Sequence, residues 1–581
     1  MTHPSFGPLV TAAGVTFRLW APAAKSVQVV LDDAKRPMRR EGDWFSAEVA
    51  GAQAGLRYKF EIDDELLIPD PASRFQPDDV QGASEVIDHA YDWRCTDWKG
   101  RPWHETVLLE LHVGTFTPQG TFCAIIDKLD HIVASGITAI ELMPIADFPG
   151  RWNWGYDGVL LFAPDSAYGR PEDLKALIDA AHQRGLMVFL DVVYNHFGPE
   201  GNYLGRIAPQ FFSDAQTPWG GAINYALPEV RSFAVENALA WVHDYRFDGL
   251  RLDAIHAIVT PRKPHVLDEL SAAVRDFAQK SGRHIHLVLE NDDNGARFLM
   301  PHGGYRAQWN DDFHHAWHVQ LTRETQGYYK DYANDAMHIA RTLAEGFAYQ
   351  GEASANRGGK PRGESTKGLQ PVAFVNFLQN HDQIGNRPLG ERLSRLAKPK
   401  EYEVALAVLL LAPSPPMLFM GEEWGTTEPF PFFCDFKGDL AEAIRRGRRK
   451  EFAEAYAQHG DEIPDPLAED TVRSATLDWS AATRGPGAAR LKLTQALLRA
   501  RREHIVALIP DFIVGDAEAS LTEGLLSATW RTPDHAYSIV ANLSGKPARG
   551  PKFVNWDRSV WGGAPPSELP PRAVFAGIGG R

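Results

Sequence analysis

Four acidic residues follow four short apolar runs, and this placement is the feature of the sequence with the clearest chemical meaning. The acids are Asp191, Asp253, Glu290 and Asp382, and the runs occupy residues 186–190, 249–252, 285–289 and 372–378. Runs of this length predict buried strands, whose terminal carboxylates are costly unless they are paired or have a chemical function. If the strands are parallel neighbours, the acids meet at one edge of the sheet and predict an active site of carboxyl groups.

Carboxyl groups gathered in one pocket repel one another, so at least one of them is expected to keep its proton near neutral pH. A protonated acid beside an ionised one is suited to cleaving a glycosidic bond. Arg251 lies two residues before Asp253, on the same face of the strand, and can hold that carboxylate ionised. The alternative for each acid taken alone is a structural ion pair or a helix cap.

The elements that must position these acids alternate between strand and helix over nearly 400 residues. The predicted strands cover residues 107–111, 139–142, 186–190, 249–252, 285–289, 306–309, 372–378 and 417–420. Helices with a buried stripe separate most of them; one begins at Pro171 and ends before Gly185. Eight strand–helix units predict an α/β fold, a (β/α)8 TIM barrel, and no G-x-G-x-x-G follows a strand as an open dinucleotide-binding sheet would require.

The strand pattern changes on both sides of the barrel. Residues 1–92 alternate polar and apolar positions and predict an N-terminal β-sandwich. Residues 93–505 hold the predicted barrel, with a charged helical insertion at about 437–483 and a Gly-rich loop at 352–367. Residues 506–581 return to a β pattern and predict a small C-terminal β-domain.

Composition excludes several classes of protein. A net charge of −15 argues against nucleic acid and anionic membranes as partners. No apolar run is long enough for a bilayer, and the N-terminus does not resemble a secretory signal. The three cysteines show no disulfide or metal-ligand spacing, so we expect a cytoplasmic protein, a monomer or a homodimer.

Four motifs resemble, in the right order, the signature regions of the α-amylase clan of glycoside hydrolases. They are Asp191-Val-Val-Tyr-Asn-His196, Gly249-Leu-Arg-Leu-Asp253, the strand that ends at Glu290, and Asn380-His-Asp382. The resemblance implies a retaining hydrolase in which Asp253 is the nucleophile, Glu290 the general acid/base and Asp382 a stabiliser of the transition state. That mechanism places the two reacting carboxyl groups ~5 to 5.5 Å apart.

The same resemblance implies roles for other residues around the bond that is cleaved. His196, Arg251 and His381 would contact the sugar on its non-reducing side, and Tyr156 would stack under that sugar. Asp191 would support its neighbours rather than react. The N-terminal domain resembles the carbohydrate-binding-module-like sandwich that precedes the barrel in glycogen branching and debranching enzymes.

Three further segments narrow the resemblance to the enzymes of the clan that hydrolyse the α-1,4 bond beside a terminal trehalose. They are Leu111-His-Val-Gly-Thr-Phe-Thr-Pro118, Gln308-Trp-Asn-Asp-Asp-Phe-His-His315, and Gly421-Glu-Glu-Trp-Gly425 with Pro431-Phe-Phe-Cys-Asp-Phe436. The implied substrates are maltooligosyl trehalose and related α-glucans. Asp311 and Asp312 would accept hydrogen bonds from the trehalose unit, although either could instead cap the following helix. Tyr203 and Phe433 are candidate pocket walls.

Two rival functions remain at this point. A 1,4-α-glucan branching enzyme would use the same acids but transfer the glycosyl group to a glucan hydroxyl; a debranching hydrolase fits the three segments less well. A non-catalytic glucan-binding barrel would be expected to lack at least one of the acids, and all are present. No cofactor is expected, and no metal: His284-x-His286 and His314-His315 lack zinc spacing, and no acidic loop completes a Ca²⁺ site at Asn195.

Overall fold

A closed barrel of eight parallel strands forms the centre of the molecule, a computed structural model that describes residues 5–32, 34–217, 219–333, 336–550 and 556–581. The strands, in barrel order, are Leu108–Leu111, Ala139–Leu142, Met187–Val192, Gly249–Leu252, His286–Leu289, Ala307–Trp309, Phe374–Phe377 and Pro416–Phe419. Every residue of these strands is buried, because barrel side chains fill one face and helices cover the other. The (β/α)8 prediction is confirmed.

The helices between the strands follow the signals in the sequence. The longer ones are Leu129–Ser135, Pro171–Gln183, Pro228–Asp244, Val266–Ser281, Asp311–Thr322, Met337–Glu345, Pro399–Leu411 and Gly485–Ala500. Pro171 opens its helix at a position where no backbone N–H is needed, and Asp173 accepts the N–H of Arg170 at 2.9 Å. Gly136 ends another helix with a φ of +94°, a conformation that favours glycine.

Two sheets form the N-terminal domain, as the alternating pattern predicts. One contains Leu9–Thr11, Gly14–Trp20, Arg39–Glu41 and Trp44–Ala50. The other contains Val27–Leu31, Ala34–Pro37, Arg57–Ile62 and Leu66–Ile68, with Ser84–Glu85 at its side. The domain packs on the barrel, since Phe6 contacts Phe233 edge-on at 5.1 Å.

Insertions surround the mouth of the barrel. Short hairpins pair Ala146–Asp147 with Leu160–Pro164, Phe212–Thr217 with Gly220–Ile223, and Glu352–Ala353 with Pro361–Arg362. The last of these lies in the predicted loop 352–367, and Arg357 holds it to Asp292 and Asp293 at 2.5 and 2.6 Å. Helices Gly438–Glu451, Ala453–His459 and Glu469–Ser474 form the charged insertion.

A five-stranded sheet follows the barrel at the C-terminal end of the chain. Its strands, in spatial order, are Ala517–Thr522, Leu525–Arg531, His535–Asn542, Ala573–Gly580 and Arg558–Trp561. Trp530 and Tyr537 anchor it to the barrel helices through the carbonyls of Leu343 and Leu411, at 3.2 and 2.8 Å. All three cysteines are free thiols. Within the described residues, we find no helix with the length and apolarity needed to span a bilayer.

Candidate active site

Arg251 brings the acids of the fourth and fifth strands together. Its Nη1 donates to Asp253 Oδ1 at 2.9 Å, and its Nη2 lies 3.0 Å from Glu290 Oε2, in an ion pair that lacks hydrogen-bond alignment. The guanidinium is completely buried and stacks over Trp309, 4.0 Å from the ring centre. A planar guanidinium can serve two carboxyl groups and a ring at once, which an ammonium cannot do.

Asp382 joins the same group from the seventh strand. It lies in the first turn of helix His381–Gly385, and its Oδ1 is 3.6 Å from Nε2 of the neighbouring His381. The Asp382 side chain is 40% exposed, whereas those of Asp253 and Glu290 are 11% and 17% exposed. Of the three acids, Asp382 is therefore the one most open to solvent.

Different donors surround the two inner carboxyl groups. Asn195 Nδ2 donates to Asp253 Oδ2 at 3.0 Å, and the backbone N–H of Ala254 donates to Glu290 Oε2 at 2.7 Å. Burial raises the pKa of both Asp253 and Glu290, and Arg251 opposes that rise in each. The charges of Asp191 and Asp382 raise the pKa of Asp253 further. Asp253 accepts an aligned hydrogen bond from Arg251, which Glu290 does not, and this difference favours an ionised Asp253 beside a protonated Glu290.

Asp191 lies behind these groups and is fully buried. Its Oδ2 accepts from Arg251 Nη1 and from the Tyr156 hydroxyl, each at 2.6 Å. The Tyr156 ring stacks on His381 with centres 5.1 Å apart and an interplanar angle of 24°. Tyr156 is thus fixed between the buried acid and the histidine of the pocket.

His196 has both ring nitrogens engaged within the protein. Nδ1 lies 2.5 Å from Asn195 Oδ1, and Nε2 lies 2.9 Å from the carbonyl of Tyr156. Burial lowers the pKa of His196, although the Tyr156 carbonyl opposes this. One face of the ring is covered by Trp219, which is 46% exposed and stacks at 5.0 Å. The histidine therefore anchors an exposed tryptophan at the pocket edge.

The two aspartates expected on the trehalose side differ in position. Asp311 is partly exposed, accepts from Gln383 Nε2 at 3.4 Å, and has its pKa raised well above the usual value by burial and by Glu290. Asp312 is fully buried, pairs with Arg362 at 2.9 Å and accepts four further bonds, from Asn294, Tyr332, Ala348 and Tyr349. The expectation that Asp312 binds substrate is corrected, because its oxygens are already engaged.

The two candidate walls, Tyr203 and Phe433, differ in their contacts and burial. The Tyr203 hydroxyl donates to Gln81 at 2.5 Å, and none of its described contacts is with the three acids. Phe433 is completely buried and packs edge-on against His112 at 5.1 Å, so it is a core residue. Its neighbour Phe432 is only half-buried.

Phe432 contacts a second aromatic side chain beside the pocket, Trp154. The rings of the two residues meet edge-on, 5.3 Å apart. Trp154 in turn meets His381 edge-on at 5.4 Å. Of the two phenylalanines, Phe432 is therefore the partly exposed one and the one connected to His381 through Trp154.

Sequence reasoning missed two buried carboxyl groups inside the barrel. Glu110 and Glu141 lie opposite each other on the first and second strands, and both are buried. Glu110 contacts His381, whereas neither oxygen of Glu141 accepts a hydrogen bond among the described residues. The signal was present, since each glutamate interrupts an apolar strand. In the described part of the chain, no group of three or more acidic, histidine or cysteine side chains is arranged to hold a metal.

Comparisons with known proteins agree with this geometry. Residues 73–219 match the alpha-amylase catalytic-domain family, and residues 5–72 match carbohydrate-binding module 48, the isoamylase N-terminal domain. Pullulanase from Paenibacillus barengoltzii shares the fold, with a TM-score of 0.73 at 20% identity over 99% of this chain and 95% of that one. Fold, strand-end acids and family match define a glycoside hydrolase of the α-amylase type.

More similar relatives narrow that class. Malto-oligosyltrehalose trehalohydrolase from Deinococcus radiodurans is 43% identical over 85% of this chain and 82% of its own length. The protein of that name from Saccharolobus solfataricus is 41% identical over 82% of this chain and 84% of its own length. A Salmonella typhimurium crystal structure described as an alpha amylase has a TM-score of 0.94 at 44% identity, covering 99% of both chains. The chain belongs to the malto-oligosyltrehalose trehalohydrolase family.

Proposed function

We propose that this enzyme hydrolyses the α-1,4-glucosidic bond next to the terminal trehalose of maltooligosyl trehalose, and so serves trehalose biosynthesis. The products are trehalose and a shortened maltooligosaccharide. One observation carries the proposal: the buried Arg251 contacts both Asp253 and Glu290, and the more exposed Asp382 lies beside them. The names of the relatives support the choice of bond.

The proposed reaction retains the configuration at the anomeric carbon. Glu290 gives its proton to the glycosidic oxygen of the leaving trehalose while the Asp253 carboxylate attacks the anomeric carbon, so that one C–O bond breaks and another forms. Glu290, now ionised, takes a proton from water, and the resulting attack releases the maltooligosaccharide and restores both side chains. Asp382 binds the sugar hydroxyls and stabilises the positive charge of the transition state.

Other residues supply the surroundings of that sugar. Arg251 holds Asp253 ionised, and Tyr156, which is stacked on His381, offers its ring to the sugar. His196 supports Trp219 at the pocket edge. The contacts of these side chains support the roles proposed for them.

On the trehalose side, we assign hydroxyl recognition to Asp311. Its partial exposure and its electrostatic contact with Glu290 support this choice. Replacing Asp311 by Ala should weaken hydrolysis of the trehalose-capped substrate more than that of a plain maltooligosaccharide. Equal losses on both substrates would contradict the assignment.

The decisive experiment compares the natural protein with Asp253→Asn on a trehalose-capped maltooligosaccharide, with separation of the products. Trehalose released by the natural protein and lost in the variant is the expected result. New α-1,6 branch points in place of trehalose would favour the branching activity suggested by a relative from Cutibacterium acnes, which is 33% identical over 44% of this chain. Binding without any product would favour a non-catalytic barrel.

We further propose a cytoplasmic enzyme that acts as a monomer or homodimer and needs no metal. Exposed Cys123 and half-buried Cys95 suit a reducing compartment, where exposed thiols persist. Light scattering of the purified protein measures its mass against the 64.5 kDa of one chain. Full activity after dialysis against a chelator is expected, and loss that Ca²⁺ restores would contradict this.

A further inference from the structure

Glu110 contacts His381 at two points. This glutamate lies on the first barrel strand, Leu108–Leu111, with its side chain 1% exposed. One carboxylate oxygen accepts the backbone N–H of His381 at 3.2 Å, and the other forms a short ion pair with Nδ1 of the imidazole ring. The glutamate therefore fixes both the backbone of the Asp382 segment and the orientation of the histidine ring.

The rest of the ring environment directs its second nitrogen outward. Tyr156 stacks on one face of His381, and Trp154 and Trp309 approach it at 5.4 and 6.1 Å. Nε2 is left facing Asp382 Oδ1 at 3.6 Å, on the solvent-exposed side of the site. With Nδ1 committed to Glu110, only the charged form of the ring carries a proton on Nε2 toward the sugar pocket.

We propose that Glu110 is a positioning residue for the proposed hydrolysis: it keeps His381 in its charged form, with Nε2–H aimed at the sugar beside Asp382. This inference rests on the proposed function for the role of the sugar, but the state of the ring can be measured without substrate. Glu110 lies outside the four signature motifs. It belongs to the first barrel strand, whereas His381 follows the seventh.

Several charged groups face His381, and their balance supports the charged ring. Burial would lower the pKa of His381, but Glu110 and Asp382 outweigh it and raise this pKa to about 9, against the opposing charge of Arg251. Asp191 and Glu141 also interact electrostatically with this histidine, His112 is a second histidine near it, and the titratable Tyr156 ring stacks on its face. Of these groups, Glu110 makes the direct contact with Nδ1.

Glu141 offers a matched control on the adjacent strand. It pairs in register with Glu110 and is equally buried, yet its oxygens accept no hydrogen bond among the described residues. Burial, together with Asp191 and Glu110, raises its pKa well above the usual value, and no described donor would stabilise its charge, so we expect this side chain in its neutral form. Glu141→Gln therefore replaces one neutral group with another of the same size, whereas Glu110→Gln removes the partner of His381.

The test follows the His381 ring by NMR in protein labelled at histidine, with its signal assigned by its loss in His381→Gln. In the natural protein we expect the ring to titrate near pH 9. Glu110→Gln should move that titration down by more than one pH unit, roughly tenfold or more in the protonation constant. Glu141→Gln should leave it unchanged, and Glu110→Asp, which keeps the charge, should restore most of it.

The same variants are then assayed for trehalose release across pH. The alkaline limb of the activity profile should shift to lower pH in Glu110→Gln. It should stay in place in Glu141→Gln. A natural His381 that titrates at or below pH 6.5 would overturn the inference without any variant, as would equal shifts in the two glutamine variants. Absence of trehalose from every sample would refute the proposed function instead, and would leave the NMR result to decide this inference.

Discussion

Replacing Arg251 by Lys should move the whole pH profile of the enzyme upward. Arg251 reaches Asp191, Asp253 and Glu290, at 2.6, 2.9 and 3.0 Å. A lysine ammonium is a point charge on a different stem and cannot reproduce the planar fork that reaches all three carboxyl groups. We expect two of the three contacts to be lost, each worth about 1.5–3 kcal/mol for a charged partner. The combined loss of at least ~3 kcal/mol predicts a fall in kcat/KM of roughly a hundredfold or more.

The sign of the pH effect follows from the two carboxyl groups. Arg251 lowers the pKa of both Asp253 and Glu290, so its loss raises both. The acid limb of the profile requires ionised Asp253, and the alkaline limb requires protonated Glu290, so both limbs should shift to higher pH. At about 1.4 kcal/mol per pKa unit, the lost contacts correspond to a shift of roughly one unit or more.

The assay is kcat/KM for trehalose release measured across pH, with Arg501→Lys as the matched control. Arg501 is also fully buried, but it donates to backbone carbonyls, among them those of Pro413 and Ser414 at 3.0 Å. Its replacement should lower stability without moving either limb. A reduced but unshifted profile in Arg251→Lys, or a downward shift, would refute the electrostatic role and leave only a packing role for the guanidinium.

Further predictions concern single contacts. Tyr156→Phe removes the 2.6 Å hydrogen bond to the buried Asp191 but keeps the ring, so kcat/KM should fall roughly ten- to a hundredfold, and the unfolding midpoint by circular dichroism should fall as well. Asp312→Asn removes the buried carboxylate partner of Arg362, which keeps the exposed Asp292 at 3.3 Å, and should cost about 3 kcal/mol in urea unfolding while the pH limbs stay in place. His381, with its pKa raised from 6.5 to about 9, contributes roughly 3 kcal/mol of stability that is complete below pH 6.5 and lost as pH rises through 9. Urea unfolding at pH 6 and pH 9.5 measures this loss; equal stability at the two values would contradict it.

The parts of the fold that could be predicted were those set by local pattern. A strand buried on both faces must be apolar along its whole length, so the eight barrel strands were visible as runs. The acids were visible because a carboxyl group at the end of such a run is too costly to leave without a partner or a function. Both signals depend on neighbouring residues alone.

The predictions that the structure corrects each concern a choice between two adjacent residues. Asp311 and Asp312 are adjacent in the first turn of a helix, where one residue turns the side chain by about 100°, from the pocket side into the core. Phe432 and Phe433 are adjacent outside the regular helices and strands, where neighbouring side chains commonly point in opposite directions. The sequence shows that one member of each pair is buried, but only the packed neighbours, such as Arg362 and His112, determine which.

The protonation of the site depends on partners that no local pattern shows. Five carboxyl groups, those of Glu110, Glu141, Asp191, Asp253 and Glu290, share the barrel interior with two cations, Arg251 and His381. Two positive charges cannot balance five negative ones in a buried space, so some of these acids must be neutral. Which ones are neutral is decided by contacts across the barrel: Glu110 meets His381 over 271 residues of sequence, whereas Glu141, one strand away, meets no donor among the described residues. Closure of the barrel therefore gives two similar glutamates different surroundings, since one pairs with a histidine and the other has no hydrogen-bond donor among the described residues.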